Sequence, residues 1–120
     1  MNRDILLLDD SPTLLSEVAK ILSAEGFNPL QAQTADQAAL HLKNHSIDFA
    51  VVDLFLDGDR GDELSNDFVR EYLTNIPYVR LTSAPQLVPT ELSGLGIISK
   101  QEFVYDTSVL IDVINETFYS

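Results

Sequence analysis

The chain contains no cysteine. That excludes a disulfide framework and any thiolate metal site, and it is compatible with a reducing cytoplasm. Basic residues are scarce: 7 lysines and arginines face 19 acidic residues, for a net charge of -12. Nucleic-acid binding needs a basic footprint, so this balance argues against direct contact with DNA or RNA, and equally against anionic membrane surfaces. No apolar run approaches the roughly 20 residues that a bilayer span requires. The opening Met1-Asn2-Arg3-Asp4 lacks the basic flank of a secretory signal, and the apolar stretch after it is too short. A Gly-rich phosphate loop and a nucleophile elbow are also missing. At 120 residues, with 45% hydrophobic and 22% charged residues, the expectation is one soluble, cytoplasmic domain over 1–120 with one good core.

What is there begins with Ile5-Leu6-Leu7-Leu8-Asp9-Asp10-Ser11-Pro12. A short apolar run that ends abruptly reads as a buried strand. Ser11-Pro12 is a helix start, because proline fits the first helical position without losing a needed donor. Two adjacent carboxylates therefore stand at the carboxyl end of a buried strand, where open α/β sheets place their ligands. Such neighbours repel unless something positive lies between them. Mg²⁺ suits the position, since it favours one or two carboxylates and keeps its waters.

Strand and helix patterns alternate along the whole chain. Strands are expected at 5–8, about 29–33, 47–54, 78–82 and 96–99. Helices are expected from Pro12 to Glu25 with Gly26 as the stop, from a Thr34/Gln37 capping box, over Leu64 to Leu73, and from Thr107 or Ser108 onward. Between Ser83 and Leu95 the pattern fades, and Pro85 and Pro89 leave only a reduced fourth helix. Five βα units imply a doubly wound parallel sheet with helices on both faces, hence three layers. Right-handed crossovers leave few strand orders, one of which is the flavodoxin-like 2-1-3-4-5. In that order Asp9/Asp10, Asp53, Thr82/Ser83 and Lys100 converge on one sheet edge. Three carboxylates, a hydroxyl and an ammonium there are the parts of a phosphoryl-transfer site.

Taken singly, these residues have plainer readings. Asp10 alone suits a helix cap or turn, Asp53 a loop, Thr82 a strand-end hydroxyl and Lys100 a solvated surface. Asp57-Gly58-Asp59-Arg60-Gly61 suggests a Ca²⁺ loop only superficially, because Phe68 stands where the closing Glu belongs. His41 and His45 lie one turn apart without an evident carboxylate partner and read as surface histidines.

Order and spacing together make the chain resemble the receiver domain of two-component response regulators over essentially its whole length. The resemblance rests on Asp9-Asp10, on Asp53 after Ala50-Val51-Val52, and on Gly61-Asp62-Glu63-Leu64. It continues with Thr82 after Tyr78-Val79-Arg80-Leu81 and Lys100 after Gly96-Ile97-Ile98-Ser99. It implies that Asp53 accepts a phosphoryl group from the phosphohistidine of a histidine kinase or phosphotransfer protein. Asp9, Asp10, Asp53 and the Phe55 carbonyl would hold Mg²⁺. Thr82 and Lys100 would meet phosphoryl oxygens, and a downstream effector protein or domain would read the result. Enzyme activity is then limited to the domain's own phosphorylation and dephosphorylation. A receiver-like interaction module insensitive to phosphate is the alternative; a flavodoxin-like cofactor binder is disfavoured by the missing phosphate loop.

Four positions depart from the family pattern. Gln101 follows Lys100 where proline in a cis bond is usual. A cis Lys-Gln bond would cost about 3 kcal/mol, so a trans bond is expected, with a risk of displacing the lysine amine. Ile97 occupies the aromatic switch position. The 82–100 stretch is short and bears prolines, so 83–94 is expected to be the most mobile part of the domain and to carry any response. Asp57 stands where a proline is common.

Overall fold

The computed structural model describes residues 2–56 and 61–119. The Gly- and Asp-rich loop 57–60, including Asp57 and most of the Ca²⁺-like sequence, lies outside the described residues. The elements run β1 (Asp4–Leu8), α1 (Pro12–Ala24), β2 (Asn28–Ala32), α2 (Ala35–Asn44), β3 (Phe49–Val52), α3 (Gly61–Tyr72), β4 (Tyr78–Thr82), β5 (Ile97–Ser99), α4 (Lys100–Tyr105) and α5 (Ser108–Tyr119). All strand pairs are parallel and the order is β2-β1-β3-β4-β5, the flavodoxin-like order.

The sheet is buried on both faces, which is why β1 and β3 are continuously apolar rather than alternating. Ile5 and Leu7 pack with Leu15, Val18 and Leu22 of α1 and Leu110 and Ile114 of α5. Leu6 and Leu8, one residue out of phase, pack on the opposite side with Ala38 of α2, Phe68 and Val69 of α3, and Leu73 just after α3. Each fully buried Leu or Ile stabilises the fold by about 1.5–3 kcal/mol, so the two half-cores hold the sheet between its helix layers.

Local signals behave largely as the residues dictate. The Ser11 hydroxyl accepts from Leu14 N at 3.3 Å, and Pro12 opens α1. Thr34 caps α2 by accepting from Gln37 N. The Gln37 side chain reaches back to Gln33 N rather than to the cap residue's own amide, so the capping box closes one residue early. Strand β3 is shorter than expected. Asp48 meets the start of β1 by accepting from Asp4 N through its carboxylate, outside the regular ladder. On α3, Phe68 faces inward, as does Leu73 just after the helix, but Leu64 and Tyr72 are exposed, and Val69 and Ser65 take the buried positions.

Between β4 and β5 there is no α-helix. Two 3-10 turns, Pro85–Leu87 and Thr90–Leu92, replace it, as two prolines within five residues require. Helix α4, after β5, was not expected from the sequence. Ser99 caps it by accepting from Glu102 N at 3.0 Å, a Ser-x-x-Glu signature that the sequence carries openly.

The turn region is fastened to β4 through Gly94. Its φ is +61°, and Leu95 N donates to Tyr78 O at 2.9 Å. A Cβ at position 94 would fall inside contact distance of the Tyr78 carbonyl and ring. Gly94→Ala is therefore expected to destabilise the domain by about 1–3 kcal/mol, through both left-handed strain and overpacking. Gly26→Ala, at φ +88° with open space around it, should cost less. Denaturant melts of the two variants check this; equal midpoints would contradict it.

Candidate functional site

Parallel register brings the strand ends level. Leu8 pairs with both Ala32 and Val52, and Asp53 N donates to Leu8 O at 2.8 Å. Asp9 and Asp53 thus leave adjacent strands at the same height. Thr82 pairs with Ser99, so Lys100 emerges one residue beyond the end of β4. Carboxylate oxygens of Asp9, Asp10 and Asp53 lie within 4.8 Å of one another. Asp9 and Asp53 are buried and Asp10 is exposed.

One ammonium group sits among these acids. Lys100 Nζ is 3.0 Å from Asp9 Oδ2 and 3.2 Å from Asp53 Oδ2. The remaining oxygens are tied to main chain: Asp9 Oδ1 accepts from Ser11 N, and Asp53 Oδ1 from Leu54 N. The Lys100-Gln101 bond is trans, yet the amine is not displaced from the acids. Lys100 opens α4, and its backbone position at a capped helix start supplies what the usual proline does not.

The electrostatics are those of an overfull acidic site. Burial, and then the neighbouring Asp9 charge, push the Asp53 carboxyl from the ordinary 3.8 up to about 6, against the pull of Lys100 and the Leu54 amide. Burial also raises Asp9, opposed by the Ser11 amide and Lys100. Burial works against the Lys100 ammonium, but the Asp53 and Asp9 carboxylates outweigh it and hold the amine above an ordinary lysine. Two buried acids beside one partly buried ammonium leave net negative charge at the sheet edge, and a further cation is the direct remedy.

The hydroxyl of Thr82 is fully buried and accepts from Ala84 N at 3.1 Å, which leaves its own proton free to donate. Phe55 lies two residues beyond Asp53 with its ring partly exposed. Ile97, at the start of β5, is 36% exposed and offers neither hydroxyl nor ring. His41 is engaged elsewhere: its Nε2 bonds the Gln31 carbonyl at 2.7 Å, far along the chain from the acids. Exposed Val104 and Tyr105 of α4 flank Lys100 along an open apolar depression.

A residue that sequence reasoning passed over is Arg80. It is fully buried in β4, opposite Val52. Its Nη1 donates to Asn66 Oδ1 at 3.1 Å and to Leu92 O at 3.0 Å. Its Nη2 donates to Ser65 Oγ at 2.8 Å, and the Ser65 hydroxyl in turn donates to the Asp53 carbonyl. A buried guanidinium is strongly disfavoured without partners, and here the partners are neutral oxygens. Burial accordingly lowers its pKa from the ordinary value, against the pull of Tyr78 and Asp53.

The raised Asp53 has a consequence for stability. Its folded-state pKa lies above the unfolded value, so the folded chain holds the proton more tightly. Stability is then favoured at low pH and is lost as pH rises from about 4 to 6. In metal-free buffer, Asp53→Asn is expected to stabilise the fold at pH 7.5, by on the order of 1–2 kcal/mol. The gain should shrink as pH falls toward 4. Urea titrations across that range check it, and a destabilised Asp53→Asn at pH 7.5 would contradict it.

Comparison with known proteins agrees with this geometry. A family model described as the response regulator receiver domain matches residues 5–100. The heme response regulator HssR of Staphylococcus saprophyticus is 30% identical over 90 residues, covering 75% of this chain and 39% of that protein. Response regulator GtcR of Aneurinibacillus migulanus is 27% identical over 97 residues, covering 81% and 39%. The chain spans about two fifths of the length of these relatives. Among solved structures, a response regulator receiver protein from Pseudomonas putida superposes with a TM-score of 0.79 at 16% identity, covering 97% of this chain and 98% of that one. A response regulator from Thermotoga maritima gives 0.77 at 20% identity, covering both chains fully. A second T. maritima protein, TrrA, described as a complex with Mg²⁺ and BeF, gives 0.76 at 16%, covering 95% and 97%. The matched stretch begins in β1 and ends on Lys100, so it contains the whole acid cluster and its counter-ion: the chain belongs to the response regulator receiver domain family.

Proposed function

We propose that this domain is a working phosphoacceptor of a two-component system, with Asp53 as the acceptor. The observation that supports it most is the arrangement of Asp9, Asp10 and Asp53 around a single lysine at the carboxyl edge of the sheet. A structural role alone gives no reason to bury two carboxylates beside each other.

In this reading an Asp53 oxygen forms a bond to phosphorus while the P–N bond of a donor phosphohistidine breaks. The electron pair leaves with the imidazole, which takes up a proton. Both reactants are anionic, so the domain contributes alignment and charge neutralisation more than covalent chemistry. Lys100 already touches Asp53 and is the cation for a phosphoryl oxygen. Thr82, with its proton free, is the donor to another. The main-chain amide of Leu54 holds the acceptor carboxylate in place.

The donor set fits Mg²⁺. It consists of clustered carboxylate oxygens, two of them buried, with net negative charge left over after Lys100. Asp9, Asp10, Asp53 and the carbonyl of Phe55 would hold the ion. When bound, it supplies the neutralising charge that two anions need in order to approach. The partners in this reading are a histidine kinase or phosphotransfer protein upstream and an effector protein or domain downstream. A cytoplasmic location follows from such partners; among the described residues no helix is long and apolar enough to cross a membrane.

Two measurements test the reading. Incubation with acetyl phosphate and Mg²⁺ is expected to add one phosphoryl group, detected by intact mass, and Asp53→Asn should abolish it. Equal labelling of the variant would move the acceptor elsewhere. No labelling of the wild type would favour an interaction module insensitive to phosphate. In calorimetry, Asp10→Ala should weaken Mg²⁺ binding by about tenfold or more. Protons compete for Asp53 below about pH 6, so wild-type affinity should also fall between pH 7 and 5. Unchanged affinity in either experiment would remove these carboxylates from the metal site.

A further inference from the structure

The acids and Lys100 are accounted for by the phosphoacceptor reading, but Arg80 is not. A guanidinium at full burial in the central part of a sheet is uncommon, and here it crosses the space between three separate elements. It bonds Ser65 and Asn66 on α3, the Leu92 carbonyl in the second 3-10 turn, and, through Ser65, the main chain of Asp53. A direct approach of Nη2 to the Asp53 carbonyl is longer, at 3.5 Å. The Nε donor, also buried, has no hydrogen-bond partner among the described residues.

These two facts belong together. Buried donors are nearly always satisfied, so an orphaned Nε marks an arrangement that is not the most favourable one available to this side chain. A small shift of the Asp53 main chain or of the Leu92 turn would alter the Arg80 bonding. The planar fork links the two, so neither can move without the other feeling it. The segment at the far end of the fork is the one that replaces a helix with two short turns, each closed by two main-chain i→i+3 bonds rather than by a continuous helical ladder.

We propose that Arg80 is a positioning residue for the phosphoacceptor: through Ser65 it holds the Asp53 main chain in register for phosphoryl transfer, and through the Leu92 carbonyl it couples that position to the turn segment 85–92. This rests on the reading of Asp53 as the acceptor and deepens it. It assigns the signal path to a buried fork, in a chain where Ile97 has neither ring nor hydroxyl to exchange between environments.

The test uses Arg80→Met, which fills similar volume without charge, and Ser65→Ala, which breaks the relay while leaving Arg80 in place. Replacing a buried charged group by an apolar one of similar size is often tolerated, and Ser65→Ala serves if Arg80→Met does not fold. Two quantities are read on each folded variant. One is the first-order rate of Asp53 phosphorylation at saturating acetyl phosphate and Mg²⁺. The other is the change in amide exchange over 85–92 on adding beryllofluoride and Mg²⁺. The expected result is a rate lowered by about tenfold and loss of the exchange response. Arg80→Lys, which keeps the charge but not the fork, should not restore either. A variant that is merely less stable, yet labels at the wild-type rate and still responds over 85–92, overturns the proposal. Wild-type protein that takes no phosphoryl group would instead overturn the phosphoacceptor reading, and this inference with it.

Discussion

Two carboxylates, Asp9 and Asp53, are buried side by side at the edge of the sheet, and a single ammonium group holds them there. Much of the structure serves that arrangement. Parallel pairing of β1 and β3 sets the two acids level, and the apolar residues before them keep both strands under two helix layers. Short capping bonds from Ser11 N and Leu54 N fix one oxygen of each acid, leaving the other to Lys100. The lysine is placed in turn by β5 and the capped start of α4. The site is thus strained electrostatically rather than sterically: its buried carboxylates outnumber the ammonium beside them, and a further cation would relieve that imbalance.

Beneath the acids lies a second polar layer that the family resemblance does not prepare one for. Arg80, Ser65 and Asn66 occupy a place beside Leu92 and Val52 that is otherwise apolar. The guanidinium is tolerated because its bonded donors meet oxygens on α3 and in the second 3-10 turn, which makes it a tie between those elements. A cation there also lies on the same side of the charge balance as Lys100, since Asp53 favours its charged form.

How much of this was legible beforehand depends on the range of the interaction. The strands, the strand order and the convergence of Asp9, Asp10, Asp53 and Lys100 follow from apolar runs, caps and crossover handedness, all of which act locally or through chirality. The broken helix between β4 and β5 follows from Pro85 and Pro89. Helix α4 was legible too, in Ser99 and Glu102, but was masked by the short strand before it. The inward face of α3 was not: Leu64 and Tyr72 have the composition for burial, yet the helix is rolled so that Val69 and Ser65 take those places. That roll satisfies Arg80, whose partners lie 12 to 15 residues away in sequence. A charged residue inside a strand carries no local sign of its distant partners, so its burial is a tertiary fact.

Chemistry at Asp53 is the central claim, and trapping the acyl phosphate tests it most directly. Borohydride reduces an aspartyl phosphate to homoserine, releasing phosphate, and peptide mass spectrometry then locates the modified residue. After treatment with acetyl phosphate and Mg²⁺, the account predicts homoserine at position 53 and at neither Asp9 nor Asp10. Homoserine at one of those two positions, or an unmodified Asp53 in protein that carries phosphate, would contradict it.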